Sequence, residues 1–376
     1  MATGGPVVAC RICAGEVAVE ERFAAFRMVG SDASIARASS AIGQCRACGH
    51  VQKPVTAEWS AEVARIYAGY DMTQSIDGVV QRIYDGGPGG PVARVDAIAG
   101  RVRAMLPTEP SAVLDVGTGN GDFVRSLKAA RPDVVVDALE ASDRYRDGLE
   151  SSGAVRTFFL DRADVTGPYG AVAALHVLEH VPDPAPFLAD LATLLVADGF
   201  MWIQVPNAAV STNDLLVLDH CSHFTAGALA DVVARSGLVL SSIEESAGGR
   251  ELSAVVRRTG TAAVPGEQSR ALRLVDALDE LGRIRDEVRA LRGDPWVFGV
   301  GNMGAWVAAE RAGGVAGFVD DDPVKWGRSF QGRPIVAPDD PRLDHGVLCI
   351  PLWGGRARAV ADRIGAGDRG IRTVAP

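Results

Sequence analysis

The sequence is poor in the features that would send a chain into or across a membrane. No stretch approaches about 20 uninterrupted apolar residues, the length a spanning helix needs, and Met1 to Pro6 show no basic segment leading into an apolar one. The expected location is therefore the cytosol, with no membrane partner. Basic residues are also in deficit. Lys and Arg number 38 against 47 Asp and Glu, a net charge of −9, which disfavours a broad nucleic-acid surface because phosphate binding depends on clustered cations. Solenoid-period repeats and low-complexity tracts are absent. What remains is globular: 47% hydrophobic and 23% charged residues, over 376 positions that predict two or three domains rather than one core.

Cysteine is scarce but not scattered. Of the six, Cys10 with Cys13 and Cys45 with Cys48 form two Cys-x-x-Cys pairs, while Cys221 and Cys349 read as ordinary core thiols. In a reducing compartment, paired cysteines favour metal over disulfides. Four thiolates fill a tetrahedron and leave no open position, so the expectation is a structural Zn2+; a redox dithiol is the competing reading. His50 reads as a neighbour rather than a fifth ligand. Residues 1–58 hold six Arg or Lys and five Asp or Glu. That balance offers no basic stripe, and nucleic acid is not an expected partner.

Downstream, hydrophobic periodicity organises the chain. Val92, Val95, Ile98, Val102 and Leu106 predict a helix near 92–106. Strands are expected at Val113–Val116, Val134–Leu139, Ala171–His176, Met201–Val205, Leu238–Ile243 and Leu252–Arg257, with helices at Phe123–Ala130 and Pro186–Leu195. Such alternation predicts an α/β fold with a parallel sheet covered on both faces. A charged amphipathic stretch over 267–292 reads as a connecting helix, and a second strand–glycine–helix start follows at Trp296–Gly304. The expected organisation is a zinc-binding module (1–58), a helical connector (59–95), a central Rossmann-like domain (96–262), a linking helix (263–293) and a C-terminal Rossmann-like domain (294–376).

The strongest motif lies at Val113–Phe123. A buried strand delivers Asp115 to the carboxyl edge of the sheet, where open α/β sheets bind ligands. Gly117, Gly119 and Gly121, with Thr118 among them, permit a tight turn and close backbone approach. The Gly-x-Gly-x-Gly spacing differs from the dinucleotide fingerprint, which sets pyrophosphate on a helix N-terminus. Glu140, nineteen positions beyond Gly121, closes the next strand where an acid can accept from two ribose hydroxyls. These residues resemble class I S-adenosylmethionine-dependent methyltransferases, and the likeness extends through Leu175–Pro184. It implies S-adenosylmethionine as cofactor, with the backbone near His176 lining its pocket and Asp161 or Asp164 reaching the adenine amine. Glu179 and His180 read as structural groups at a helix start.

Asp219, His220 and His223 form the most suggestive polar cluster. Histidine moves protons near neutral pH, and an adjacent acid can orient or charge it. The domain order, the cysteine pairs followed by Val51 and Gln52, and the segment Asp219–Thr225 resemble C-methyltransferases of deoxysugar biosynthesis. Asp219 stands where that family has Glu, and His223 where it has Tyr. The resemblance implies a nucleotide-linked 4-keto-deoxysugar as small-molecule acceptor and His220 as the base that deprotonates carbon beside the ketone. His223 or Asp219 would stabilise the enolate or tune His220. Tyr67 or Tyr70 would close over the donor, or else simply pack. The same base would serve a hydroxyl or amine acceptor. Gly299–Gly304 with Asp320 fits the dinucleotide pattern and, taken alone, suggests an NAD-dependent oxidoreductase; Asp320–Gly327 and Gly332–Val336 resemble instead the non-redox C-terminal domain of the sugar enzymes.

Overall fold

The computed structural model describes residues 8–68, 82–83, 92–107, 111–246, 249–265, 271–352 and 356–374. Seven strands build the central sheet: Ala112–Val116, Val135–Leu139, Thr157–Phe159, Tyr169–Leu175, Leu195–Pro206, Val239–Glu245 and Glu251–Arg257. Counted along the chain, their order across the sheet is 3-2-1-4-5-7-6. Strands one to five pair in parallel, and the seventh runs antiparallel between the fifth and sixth. The order reverses between strands one and four, which makes the carboxyl ends there the topological switch point where open sheets bind ligands.

The parallel strands are apolar on both sides because both faces are covered. Helices Arg94–Met105 and Asp122–Ala130 bury Ile98, Val102, Val124 and Leu127 against one face. Helices Pro184–Ala192 and Ala226–Arg235 bury Leu188, Leu191, Leu229 and Val232 against the other. The helix expected from Val92 starts at Arg94, because Val92–Ala93 pair as a short strand with Arg82–Ile83.

The cysteine pairs sit in a five-stranded antiparallel sheet. Four strands come from the N-terminus: Val8–Ala9, Glu16–Val19, Gly43–Cys45 and Val51–Gln52. The fifth is Ser222–His223, so a segment from beyond residue 200 completes the sheet. On the far side, helix Leu274–Ala290 places Leu278, Leu281, Ile284 and Val288 in one core with Phe23, Phe26, Trp306 and Phe318. Trp306 Nε1 donates to the Arg27 carbonyl (3.1 Å), and Arg27 N–H donates to Glu310 (2.9 Å). The C-terminal residues form a six-stranded, mostly parallel sheet that includes Trp296–Phe298 and Gly317–Val319, with helices Asn302–Glu310 and Arg356–Arg363. Among the described residues, no helix is long and apolar enough to cross a membrane.

Candidate active site

The glycine loop leaves the first strand at the switch point. Gly117, Gly119 and Gly121 have φ of 71°, 52° and 80°, the left-handed region that glycine enters at little cost. A Cβ on Gly117 would stand 2.4 Å from Val177 Cγ2, so the loop closes directly on the segment after the fourth strand. Asp115 is buried and accepts from Thr118 Oγ1 (2.7 Å). Burial pushes its carboxyl up to about 7 against that hydrogen bond, with Glu140 adding to the rise. The Glu140 carboxylate accepts from Gly119 N–H (2.9 Å) and Ala141 N–H (2.7 Å). Asp115, Gly117, Thr118, Gly119, Gly121 and Glu140 therefore form one constellation at the sheet edge.

The other sequence-derived donor residues are less uniform. His176 ends the fourth strand at φ 56°, its Nδ1 3.1 Å from Glu179 and its Nε2 3.3 Å from Glu251. Asp161 is exposed and caps the turn Arg162–Asp164 by accepting from Ala163 N–H (2.8 Å). Tyr70 lies outside the described residues. Tyr67 is described, and its hydroxyl is 3.0 Å from His180 Nδ1.

The histidine cluster follows the donor loop closely in space. Cys221 N–H donates to the Glu179 carbonyl (2.8 Å), and the His180 and His220 rings meet edge to face at 4.6 Å. His220 presents Nδ1 to Asp214 Oδ1 at 2.6 Å, while Nε2 has no hydrogen-bond partner among the described residues. Asp214, on the turn Thr212–Leu216, also holds His223 Nδ1 at 2.6 Å. Lys53 Nζ stands 2.9 Å from His223 Nε2 and donates to the carbonyls of Val217 (2.7 Å) and His220 (2.8 Å).

The hydrogen bonds differ from what sequence adjacency suggests. Asp219 makes no hydrogen bond to the His220 ring, although its charge adds to the rise of that imidazole. Its carboxylate accepts from Ser31 N–H (2.8 Å) and Ser31 Oγ (2.5 Å) and lies 3.4 Å from His180. His223 does not face a substrate either, since it is 1% exposed with both ring nitrogens engaged. The acid that pairs with His220 is Asp214, six positions earlier, and Lys53 completes the chain from another sheet. Sequence adjacency pointed to Asp219; only the sheet pairing of Val51–Gln52 with Ser222–His223 brings Lys53 in.

Charge in this buried group is shared unevenly. Burial opposes a proton on His220, yet the Asp214 carboxylate outweighs it and holds the imidazole above 6.5. Burial and the Lys53 charge together push His223 down to about 4. Burial also lowers Lys53 to about 7, partly offset by Asp214. Asp214 stays well below 3.8 despite its burial, because the two imidazoles favour its charge. His220 is thus the more basic histidine of the pair.

Two groups have the composition of metal sites. The Sγ atoms of Cys10, Cys13, Cys45 and Cys48 lie within 4.8 Å of one another, with Cys10–Cys48 at 3.6 Å and Cys13–Cys45 at 3.4 Å. A tetrahedral zinc with bonds of about 2.3 Å sets its sulfurs about 3.8 Å apart, so the thiols fit that ion. The second group is Glu179, His180 and His220. Two imidazoles and a carboxylate suit a transition metal, and an ion held there through His220 would occupy the lone pair that the ring offers to a proton. Excess Ni2+ is therefore expected to suppress turnover, reversibly with a chelator, and to leave donor affinity unchanged by calorimetry.

The C-terminal glycine loop is occupied from within. Asp320 Oδ2 accepts from Val300 N–H (2.9 Å) and Lys325 Nζ (3.0 Å), and Oδ1 accepts from Asp322 N–H (3.0 Å). A Cβ on Gly304 would stand 2.2 Å from the Gly299 carbonyl, so that glycine serves helix–strand packing. The acid an NAD ribose would need is already neutralised by a lysine.

Comparison with known proteins agrees with the central geometry. Residues 93–243 match a family model for a methyltransferase domain. The ubiquinone biosynthesis O-methyltransferase of Caulobacter vibrioides is 32% identical over 113 residues, 28% of this chain and 44% of that protein. The Xylella fastidiosa protein of the same name is 28% identical over 134 residues, 33% and 52% of the two chains. The chain spans about half the length of the curated relatives it matches. Among solved structures, the 1,6-didemethyltoxoflavin-N1-methyltransferase of Burkholderia thailandensis, with bound S-adenosylhomocysteine, is 20% identical at a TM-score of 0.41, covering 59% of this chain and 97% of that one. A mitomycin 7-O-methyltransferase is 21% identical at 0.38, covering 44% and 55%. Residues 93–243 are an S-adenosylmethionine-dependent methyltransferase domain of class I.

Proposed function

We propose that the whole chain is a methyltransferase for a small-molecule acceptor, with His220 as general base and S-adenosylmethionine held by Asp115, the glycine loop and Glu140. The observation that carries this reading is His220 itself: Nδ1 fixed by Asp214, Nε2 unpartnered, and the ring packed against the segment that touches the donor loop. His176 and Asp161 complete the donor pocket at its adenosine end. The four cysteines hold a structural Zn2+ that keeps the N-terminal sheet folded.

The acceptor we favour is a nucleotide-linked 4-keto-deoxysugar, methylated at carbon. Support comes from the architecture outside residues 93–243: a cysteine sheet completed by the His220 loop, and a C-terminal α/β unit without a free ribose acid. Bound S-adenosylmethionine supplies an electrophilic methyl on positively charged sulfur. His220 Nε2 would take the proton from carbon beside the ketone, leaving that carbon as the nucleophile toward the methyl the cofactor supplies. The proton so taken would leave a positive charge on the imidazole, which the Asp214 carboxylate stabilises. Alignment of the two substrates in a dry site supplies much of the acceleration. A second reading keeps the base and takes a hydroxyl proton, because the curated relatives of the domain are O-methyltransferases.

Label from methyl-13C donor distinguishes the readings. A new C–CH3 signal in the product is expected; a methoxy signal would install the second reading. With S-adenosylhomocysteine in place of donor, wild-type protein in D2O is expected to exchange the hydrogen beside the ketone.

A further inference from the structure

Arg11 lies inside the first cysteine pair, yet its side chain leaves the cysteine cluster altogether. The knuckle around it is tightly made: Ala14 N–H donates to the Cys10 carbonyl, Cys10 N–H to the Gly15 carbonyl (both 2.8 Å), and Gly15 N–H to Cys13 Sγ (3.4 Å). From this turn Arg11 reaches three points on the next layer. Its backbone N–H donates to Gln52 Oε1 (3.0 Å), Nη1 donates to the Cys221 carbonyl (2.7 Å), and Nη2 donates to the Lys53 carbonyl.

Those two carbonyls bracket the base. Cys221 follows His220 directly in the chain. Lys53 donates its ammonium to the His220 carbonyl and contacts His223, the other histidine on Asp214. A guanidinium can hold both carbonyls at once because its donors form a rigid planar fork; a lysine offers one point charge. Ion pairs at the surface would not transmit position in this way, whereas a half-buried guanidinium held by two carbonyls moves with the turn that carries it.

We propose that Arg11 is a positioning residue that transmits the geometry of the four-thiolate site to the backbone of His220, so that metal occupancy among the cysteines sets the competence of the base. The inference rests on the reading of His220 as base. Thiolates drawn together by an ion fix the Cys10–Cys13 turn and therefore the origin of the Arg11 side chain. Released thiols relax the turn, and the carbonyls at Cys221 and Lys53 lose their common donor. A displacement of about 1 Å at a catalytic group can cost on the order of a hundredfold in rate.

The test uses the full-length zinc-loaded protein with Arg11→Met, which keeps an apolar stem and removes the fork. Zinc content and S-adenosylhomocysteine affinity should stay at wild-type values. Turnover should fall at least about thirtyfold with little change in KM, a loss of positioning rather than of uniform binding, and the Cε1–H signal of His220 should shift in NMR spectra. Wild-type turnover and an unmoved His220 signal, with zinc bound, would overturn the proposal. Should Arg11→Met fail to fold, chelation of zinc from the wild-type chain provides the second measurement. The His220 signal is then expected to move before donor affinity is lost; simultaneous loss of both would mean global unfolding and would equally overturn it. The His220 signal reports the coupling without turnover, so a failure of the base assignment, seen as an active His220→Asn variant, is distinguishable from a failure of the Arg11 link.

Discussion

Replacing His220 with Asn is expected to lower kcat by about 10²- to 10⁴-fold, the usual contribution of a positioned general base, while S-adenosylhomocysteine affinity changes less than about threefold. The reasoning is geometric first. Nε2 is the one ring nitrogen of the Asp214 pair left without a partner, since both nitrogens of His223 are taken. Donor contacts belong to a different strand end, so they should survive. Asp214→Asn provides the electrostatic companion. In the wild-type protein Asp214 holds His220 above 6.5, so the base is protonated at low pH and kcat should rise as pH increases through that raised value. Without the Asp214 carboxylate, burial is opposed only by the Glu179 and Asp219 charges, and the His220 pKa falls. The acid limb of the profile should then move to lower pH while its plateau drops, because the ring is both less basic and less well oriented. An acid limb unmoved in Asp214→Asn would remove Asp214 from this role, and wild-type turnover in His220→Asn would remove His220.

The constellation around the glycine loop was more legible in the sequence than the group around His220, and the reason is the range of the interactions. Asp115, the three glycines and Glu140 are brought together by one strand–turn–helix–strand unit, whose spacing is read directly from local patterns. The contacts that join them, Thr118 to Asp115 and Gly119 to Glu140, all fall within that unit. The group around His220 is assembled from four places: Lys53 from the N-terminal sheet, His180 after the fourth strand, Asp214 on a short turn, and the Ser222–His223 strand. No periodicity links Lys53 to His223 across 170 positions, and adjacency in the chain favours Asp219 over Asp214 as the hydrogen-bond partner of His220. Asp219 instead belongs to Ser31 and His180, a contact equally invisible along the chain. Among secondary elements, the alternating strands and helices of the central sheet were legible because both faces are buried. Missed elements were the short helix Arg146–Ser151, the three-residue strand Thr157–Phe159 and helix Ala226–Arg235. The first two are too short to show a period, and the third opens Ala-Gly-Ala-Leu-Ala, whose small residues carry little periodic signal. The two-residue strands of the cysteine sheet are set by pairing and knuckle turns, not by hydrophobic alternation.

Glu140→Ala is expected to weaken donor binding by about 10- to 100-fold, from the 1.5–3 kcal/mol typical of a hydrogen bond to a charged group and the 1.4 kcal/mol that corresponds to each factor of ten. Two effects act together. The carboxylate is aimed by Gly119 and Ala141 N–H groups, which leaves lone pairs for ribose hydroxyls, and its loss also frees the Gly119 amide and loosens the loop. Glu140→Gln keeps one acceptor oxygen and should lose less, which separates the charge from the loop contact. The informative control is Asp320→Ala. Both acids sit beside a glycine loop at a strand end, and from sequence spacing either one can be read as a ribose acceptor. Asp320, however, is already engaged by Lys325 Nζ and the Val300 and Asp322 amides. Its removal should lower the melting temperature, by unpairing Lys325 and two backbone donors, and leave affinity for S-adenosylhomocysteine unchanged. NAD should give no binding heat with the wild-type chain. If Asp320→Ala weakened donor binding as much as Glu140→Ala, the two loops could not be assigned to separate tasks; equal affinity in wild type and Glu140→Ala would move the ribose contact elsewhere.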